Sequence, residues 1–288
     1  MNQGMENRMH SEFLRLKGLG WTLPPLSPLG LFMPSFTDES KISFPSQSYN
    51  SAEVNNEATG FWATARAKAI AEVLGTAGTM TLWEIGAGNG NAAIPLRDLG
   101  FDIIPIEPLK TGAITLVKNG FPAFHSTLEN LELPNNSIDT IGAFDVLEHL
   151  EKPEILLSEI FRVLKPGGTF VCSVPAYQWL FSDFDISIGH YMRYSRKKLR
   201  QLLDSVGLRC ESFRFIFGFL VLPAFFLRRI PYLLGKRRTL RELNFSFGGN
   251  SSTINKMGCI LTIVSQFEKK LKLPFGLSLI AVAKKIPN

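Results

Sequence analysis

At 288 residues, with 45% apolar and 19% charged side chains, the chain can build a sizeable core, as one large decorated domain or two modest ones. Its three cysteines, Cys172, Cys210 and Cys259, are odd in number and far apart; they suit a reducing compartment and offer no C-x-x-C spacing, so no metal is expected. A formal charge of +6 suits phosphate-bearing or membrane partners but is too small to specify either.

In chain order, Met1 to Lys17 is mixed in character and Trp21 to Pro34 is broken by prolines, so a secretory signal is not expected and a cytoplasmic location is. With Pro24, Pro25, Pro28, Pro34 and Pro45, residues 1–50 read as an arm lying over the domain or partly disordered, and residues 51–288 as the domain itself. Ala52 to Leu74 has helical spacing (Val54, Ala58, Phe61, Ala65, Ile70, Leu74). Trp83-Glu84-Ile85-Gly86-Ala87-Gly88-Asn89-Gly90 then reads as a buried strand entering a glycine-rich turn, with a helix over Asn91 to Leu99 behind it. Alternate glycines permit positive φ and close approach of a ligand to the main chain, beside unpaired helix N-terminal amides.

Phe101 to Glu107 looks like a second strand ending in a carboxylate. Strands alternate with helices as far as Val174, which implies a parallel sheet with right-handed crossovers. A helix is predicted over Glu154 to Leu164, burying Ile155, Leu156, Ile160 and Leu164 and stopped by Lys165-Pro166-Gly167-Gly168. Thr169 to Val174 is a nearly nonpolar central strand, Ser195 caps a basic helix ended by Gly207, and Leu277 to Lys284 is a closing strand. In such an open α/β sheet ligands bind beyond the carboxyl ends of the strands, where Gly86–Gly90, Glu107 and Asp145 all fall.

A dinucleotide fingerprint would place a glycine at position 91, where Asn91 stands. The pattern present, E-x-G-x-G-x-G from Glu84 to Gly90, resembles motif I of the class I S-adenosylmethionine-dependent methyltransferases. Glu107 after the second strand, Leu131 to Val146, Leu147-Glu148-His149-Leu150 and Arg162 to Gly168 extend that resemblance, which runs from about Phe61 to Leu208 and returns at the C-terminus. It implies a Rossmann-like α/β fold with a seven-stranded, mostly parallel sheet, helices on both faces and the last strand antiparallel. A largely helical insert, 218–272, would separate strands six and seven. S-adenosyl-L-methionine would be held by Glu84, Gly86, Ala87, Gly88, Gly90, Glu107, Pro108, Thr127, Leu128, Phe144 and Asp145. Glu107 would take both ribose hydroxyls, and Arg66, behind Phe61-Trp62, would pair with the methionine carboxylate.

The segment Val174-Pro175-Ala176-Tyr177, Asp185, Gly189-His190-Tyr191-Met192-Arg193-Tyr194 resembles that of a bacterial subgroup (type 11/23-like) associated with glycan or cell-envelope pathways. Met192 replaces the first arginine of its G-H-Y-R-R-Y pattern, which puts a two-arginine phosphate clamp in doubt. His190 with Asp185 reads as a base and its orienting carboxylate, or as a structural loop cap. His149, Tyr177, Tyr191, Arg193 and Tyr194 are the candidate substrate contacts. Ala143-Phe144-Asp145-Val146 differs from the N-P-P-Y-like turn of nucleobase amino methyltransferases, so nucleic acid is not an expected partner.

Between Arg214 and Arg228-Arg229, Phe215 to Leu227 is a thirteen-residue apolar run interrupted by Pro223 and followed by Lys236-Arg237-Arg238. It is shorter than the roughly 20 residues a bilayer span takes. It reads as a sixth strand entering a helical cover, or as an interfacial anchor over 215–238. The expected activity is methyl transfer to oxygen or carbon of a small-molecule, glycan or lipid-linked acceptor. A nicotinamide oxidoreductase and a non-catalytic cofactor-binding protein are the alternatives.

Overall fold

The structure is a computed structural model that describes residues 3–27, 30, 32, 60–75, 80–236 and 273–287. The predicted helix over Ala52 to Leu74 is seen as α2 from Phe61 to Leu74, after α1 (Gln3–Gly18); its first turns, like most of the 218–272 insert, lie outside the described residues. Then follow β1 (Thr81–Ile85), α3 (Ala93–Asp98), β2 (Asp102–Ile106), α4 (Lys110–Lys118), β3 (Ile138–Phe144), α5 (Pro153–Val163) and β4 (Leu164–Pro175). After α6 (Asp183–Ser187), α7 (Arg196–Ser205) and β5 (Leu208–Ile216), a helical run passes through Gly218–Leu220, Val221–Ala224, Phe225–Arg229 and Ile230–Leu233, and β6 (Ser278–Lys285) ends the chain.

The sheet order is β2-β1-β3-β4-β6-β5. β1, β2, β3 and β4 are parallel, while β6 inserts antiparallel between β4 and β5. Six strands are described where seven were expected. Beyond β2, the edge is finished by two isolated parallel bridges, Ile106 to Phe124 and Phe124 to Phe32. Phe124 is fully buried, its backbone bonds both Pro105 and Glu107, and on its other side Phe32 bonds Ala123 O and His125 N.

Alternation along the strands feeds two apolar layers. Trp83, Ile104, Phe170, Cys172, Leu279 and Ala281 face α1, α5 and α7, whereas Leu82, Ile103, Val171, Ile280 and Val282 face α2, α3, α4 and the helical run after β5. The N-terminal segment is thereby part of the core. Met9, Leu16 and Trp21 are buried, Arg8 pairs with Asp102, and the Trp21 indole donates to Leu131 O at 2.8 Å. The i, i+4, i+7 spacing of Met9, Phe13 and Leu16 signalled a helix that the downstream prolines overshadowed.

Two local expectations change. α5 buries Leu156, Leu157, Ile160 and Val163, and Ile155 is 60% exposed, because a helical stripe at i, i+1, i+4 and i+7 excludes its neighbour. Leu164, expected at the end of that helix, begins β4 and pairs with Ile138. Ser195 caps α7 as expected, accepting from Lys198 N at 3.1 Å.

Candidate active site

The loops after β1, β2, β3 and β4 converge at the carboxyl edge of the parallel strands. Gly86, Gly88 and Gly90 all have positive φ, +65°, +58° and +90°. A side chain at Gly86 would put Cβ 2.8 Å from Val146 Cγ2, so both backbone angle and space require glycine there. The turn is locked to the next loop by Glu107. Its Oε2 accepts from Gly88 N at 2.7 Å and its Oε1 from Leu109 N at 2.8 Å. Glu107, expected to take the ribose hydroxyls, is 2% exposed and also orients the glycine turn.

Glu84 and Arg66 are buried under this turn. Burial is the main influence that raises the Glu84 carboxyl to about 8, against the lowering effect of Arg66 and with a further raising effect from Glu107. Arg66 pairs with Asp145, whose other oxygen accepts from Ser173 Oγ at 2.9 Å. Asp145 itself sits at φ +56°, a left-handed conformation held by its N–H bond to Ser173 O at 2.9 Å. Phe61 and Trp62 pack on Phe217, the Trp62 ring stacked at 3.8 Å between centroids. Of the remaining cofactor candidates, Ala87, Phe144 and Leu128 are buried, while Pro108 and Thr127 are half-buried. Thr127 Oγ1 accepts from Asn130 N at 3.3 Å.

The segment after β4 folds back over the end of β3. Asp185 closes a capping box on Ser182 and also meets His190 Nδ1 at 2.9 Å and Arg193 Nε at 2.8 Å. Burial acts to raise Asp185, but the bonds and charges of His190 and Arg193 outweigh it and hold the carboxyl below its usual range. Arg193 is buried with its guanidinium committed to Asp185 and to Ala176 O. Tyr194 is fully buried, its hydroxyl donating to Leu147 O at 3.0 Å, and burial raises that phenol. Both therefore brace the loop. Tyr177, at φ +65°, stacks on Phe215, and Tyr191 is 49% exposed while its N–H binds Glu148 O at 2.7 Å.

Glu148, quoted in the sequence only as part of a segment, lies at the centre of this group. Its carboxylate is buried, and neither oxygen has a hydrogen-bond partner among the described residues. Burial, with Asp145 beside it, pushes the group well above the usual carboxylate range. His190 Nε2 lies 3.8 Å from Glu148 Oε1. His149 Nδ1 lies 3.3 Å from Gly189 O, and its ring meets that of His190 at 4.7 Å. Burial, then the neighbouring His190, pushes His149 down to about 4. The signal available beforehand was a Glu-His pair directly after a strand.

With this geometry in view, residues 57–212, just over half of the chain, match the family model described as a methyltransferase domain. The chain belongs to this methyltransferase family. A probable S-adenosylmethionine-dependent methyltransferase of Mycolicibacterium smegmatis is 31% identical over 135 residues, 45% of this chain and 52% of that protein. An uncharacterized methyltransferase of Mycobacterium tuberculosis is 30% identical over 124 residues, 42% of this chain and 49% of that protein. The chain thus spans about half the length of the curated relatives it matches. Among solved structures, a chain from the complex of the Haloferax volcanii Trm112 methyltransferase activator with a methyltransferase aligns at a TM-score of 0.55. That alignment has 20% identity over 82% of this chain and 94% of that one, a likeness of fold. The nicotinamide reading is set aside on the family match.

The residues fit S-adenosyl-L-methionine, the cofactor of this methyltransferase class. Buried Glu84 Oε2, Arg66 Nε and Asn91 Oδ1 lack partners among the described residues and border the glycine turn. A cation near Glu84 and an anion near Arg66 would offset the cost of burying those groups. The cofactor's amino-acid end carries both charges.

Proposed function

We propose that this protein transfers a methyl group from S-adenosyl-L-methionine to oxygen or carbon of a small-molecule, glycan or lipid-linked acceptor. The observation that carries the reading is the glycine turn held to Glu107 at 2.7 Å, with unpartnered polar atoms of Glu84 and Arg66 beneath it. A sulfonium methyl is already electrophilic, so the protein's task is to align the acceptor with it and to ease loss of the acceptor's proton. His190, held by Asp185, and His149 are the groups assigned to the acceptor side; Tyr177 and Tyr191 border the same loop. Arg193 and Tyr194 act by bracing it.

Calorimetry with S-adenosylhomocysteine tests the cofactor assignment, with a Kd in the micromolar range expected, roughly −8 kcal/mol. Tight NADH binding with no response to the sulfur ligand would overturn it. For the acceptor, metabolites of a deletion strain are compared using a labelled methyl donor. His190→Ala should then lower turnover on the identified acceptor by about 10²–10⁴-fold while cofactor affinity holds. Unchanged turnover would remove His190 from the site.

A second reading concerns where the acceptor is met. Leu222, Phe226, Leu227, Leu233 and Leu234 project from the helical run with exposures of 46–69%, and Lys236 accompanies them, while Arg228 lies over the Phe184 ring and Arg229 donates to Phe181 O. No helix among the described residues is long and apolar enough to cross a membrane. Peripheral contact with an anionic surface, where a lipid-linked acceptor would be presented, is the role this face suggests.

A further inference from the structure

Glu148, His149 and His190 offer one ligand atom each, all within 4.8 Å of one another. A carboxylate with both oxygens buried and unpartnered is costly unless a cation or donor completes it. The nearest imidazole nitrogen, His190 Nε2, stands 3.8 Å from Oε1, beyond hydrogen-bond reach. The two imidazoles are oriented as metal-binding imidazoles are. His190 Nδ1 is directed at Asp185 Oδ1 (2.9 Å), which turns its Nε2 toward Glu148 Oε1, and His149 Nδ1 is oriented by Gly189 O (3.3 Å). Asp185 is in turn fixed by Arg193 and the Ser182 backbone, so the outer support is built as well.

We propose that Glu148, His149 and His190 form a binding site for one divalent first-row transition ion at the acceptor side of the methyl-transfer centre. Two imidazole nitrogens and one carboxylate suit such ions better than calcium or magnesium, which favour all-oxygen sets. Tetrahedral binding at about 2.0–2.1 Å would require donors roughly 3.4 Å apart, so the three side chains close in slightly on the ion. Three protein ligands leave coordination positions open.

This inference deepens the methyltransferase reading and rests on it for its chemistry. The open positions would take the acceptor hydroxyl, preferably one with a second oxygen able to chelate. Coordination lowers the hydroxyl's pKa, and its proton passes to solvent. The oxygen's electron pair then forms the bond to the methyl carbon as the carbon–sulfur bond breaks, its pair remaining on the neutral sulfur. His190 would thus promote proton loss through the ion. The cysteine-based expectation of no metal could not detect this site, because its ligands come from two loops distant in the chain.

The test uses the full chain freed of metal by chelator dialysis, titrated with Co²⁺ by visible absorption and Zn²⁺ by calorimetry. S-adenosylhomocysteine binding is measured on the same preparation. The expected result is one equivalent of each ion, with Co²⁺ bands of nitrogen–oxygen coordination and Zn²⁺-induced shifts in the ring-nitrogen resonances of His149 and His190. In Glu148→Gln, ion affinity should fall by more than the 10–100-fold typical of outer-sphere changes while S-adenosylhomocysteine binding persists. Absence of stoichiometric ion binding by the wild-type chain overturns the site, as do unshifted histidine resonances or equal binding by a folded Glu148→Gln. Should that variant not fold, the wild-type resonances decide. Ion binding without S-adenosylhomocysteine binding would instead sink the methyltransferase reading.

Discussion

Replacing Glu107 with glutamine separates its two jobs, holding the glycine turn and contacting cofactor. The carboxylate accepts from Gly88 N at 2.7 Å and Leu109 N at 2.8 Å, in a position 2% exposed. A carboxamide of the same shape can accept from one of these amides, but its NH₂ then opposes the other, donor against donor. One charge-assisted bond is lost and one buried N–H is stranded, a cost of about 2–3 kcal/mol. At about 2–4 °C per kcal/mol for domains near this size, Glu107→Gln should lower Tm by about 4–12 °C. If the carboxylate also receives ribose hydroxyls, S-adenosylhomocysteine should bind about 10–100-fold more weakly. Scanning calorimetry without ligand measures the first effect, and titration calorimetry well below the new Tm measures the second. An unchanged Tm would refute the argument that these two bonds organise the turn. An unchanged Kd in the folded variant would remove Glu107 from cofactor recognition.

Other expectations follow from buried groups and from the exposed face. The folded-state pKa of Glu84, raised by burial to about 8, exceeds its ordinary 4.5, so the folded chain holds a proton that the unfolded chain has lost between those values. Stability of the ligand-free protein should therefore fall as pH rises across that window, by up to about 1.4 kcal/mol per pH unit from this group. Urea titrations at several pH values should show the slope flattened in Glu84→Gln, and an identical slope in the variant would contradict the assignment. Tyr194→Phe removes the hydroxyl bond to Leu147 O and leaves that carbonyl with Leu150 N at 3.3 Å, so a loss of about 0.5–1.5 kcal/mol in denaturant unfolding is expected; no loss would show that the hydroxyl bond adds nothing to stability. Flotation with anionic vesicles should recover the wild-type chain at low salt and less of a Phe226→Ser variant, since Phe226 is 58% exposed. No lipid association of the wild type at low salt would end that reading.

Much of the scaffold could be read from local chemistry. The glycine spacing from Gly86 to Gly90 announces a turn because backbone conformation alone demands it, and all three glycines indeed have positive φ. The nonpolar run into β4, the Ser195 cap and the closing strand β6 were legible for the same reason: periodicity and capping act over a few residues. Boundaries that depend on which helix face meets the sheet were less so, as Ile155 and Leu157 show.

Partnerships across the chain were decided by tertiary structure. Arg66 read as a cofactor clamp, yet its nearest anion is Asp145, brought to it by the left-handed turn after β3. Glu107 read as ligand-facing; it also accepts from Leu109 N, a local contact, and from Gly88 N, which comes near only when β1 and β2 pair. Glu148 carried no signal by itself. Its unpartnered carboxylate gains meaning because the segment after β4 folds back, binding Tyr191 N to Glu148 O at 2.7 Å and setting His190 beside it. Local patterns determine elements because their causes are local. Burial and charge pairing determine the site, and those exist only once distant segments have excluded water from one another.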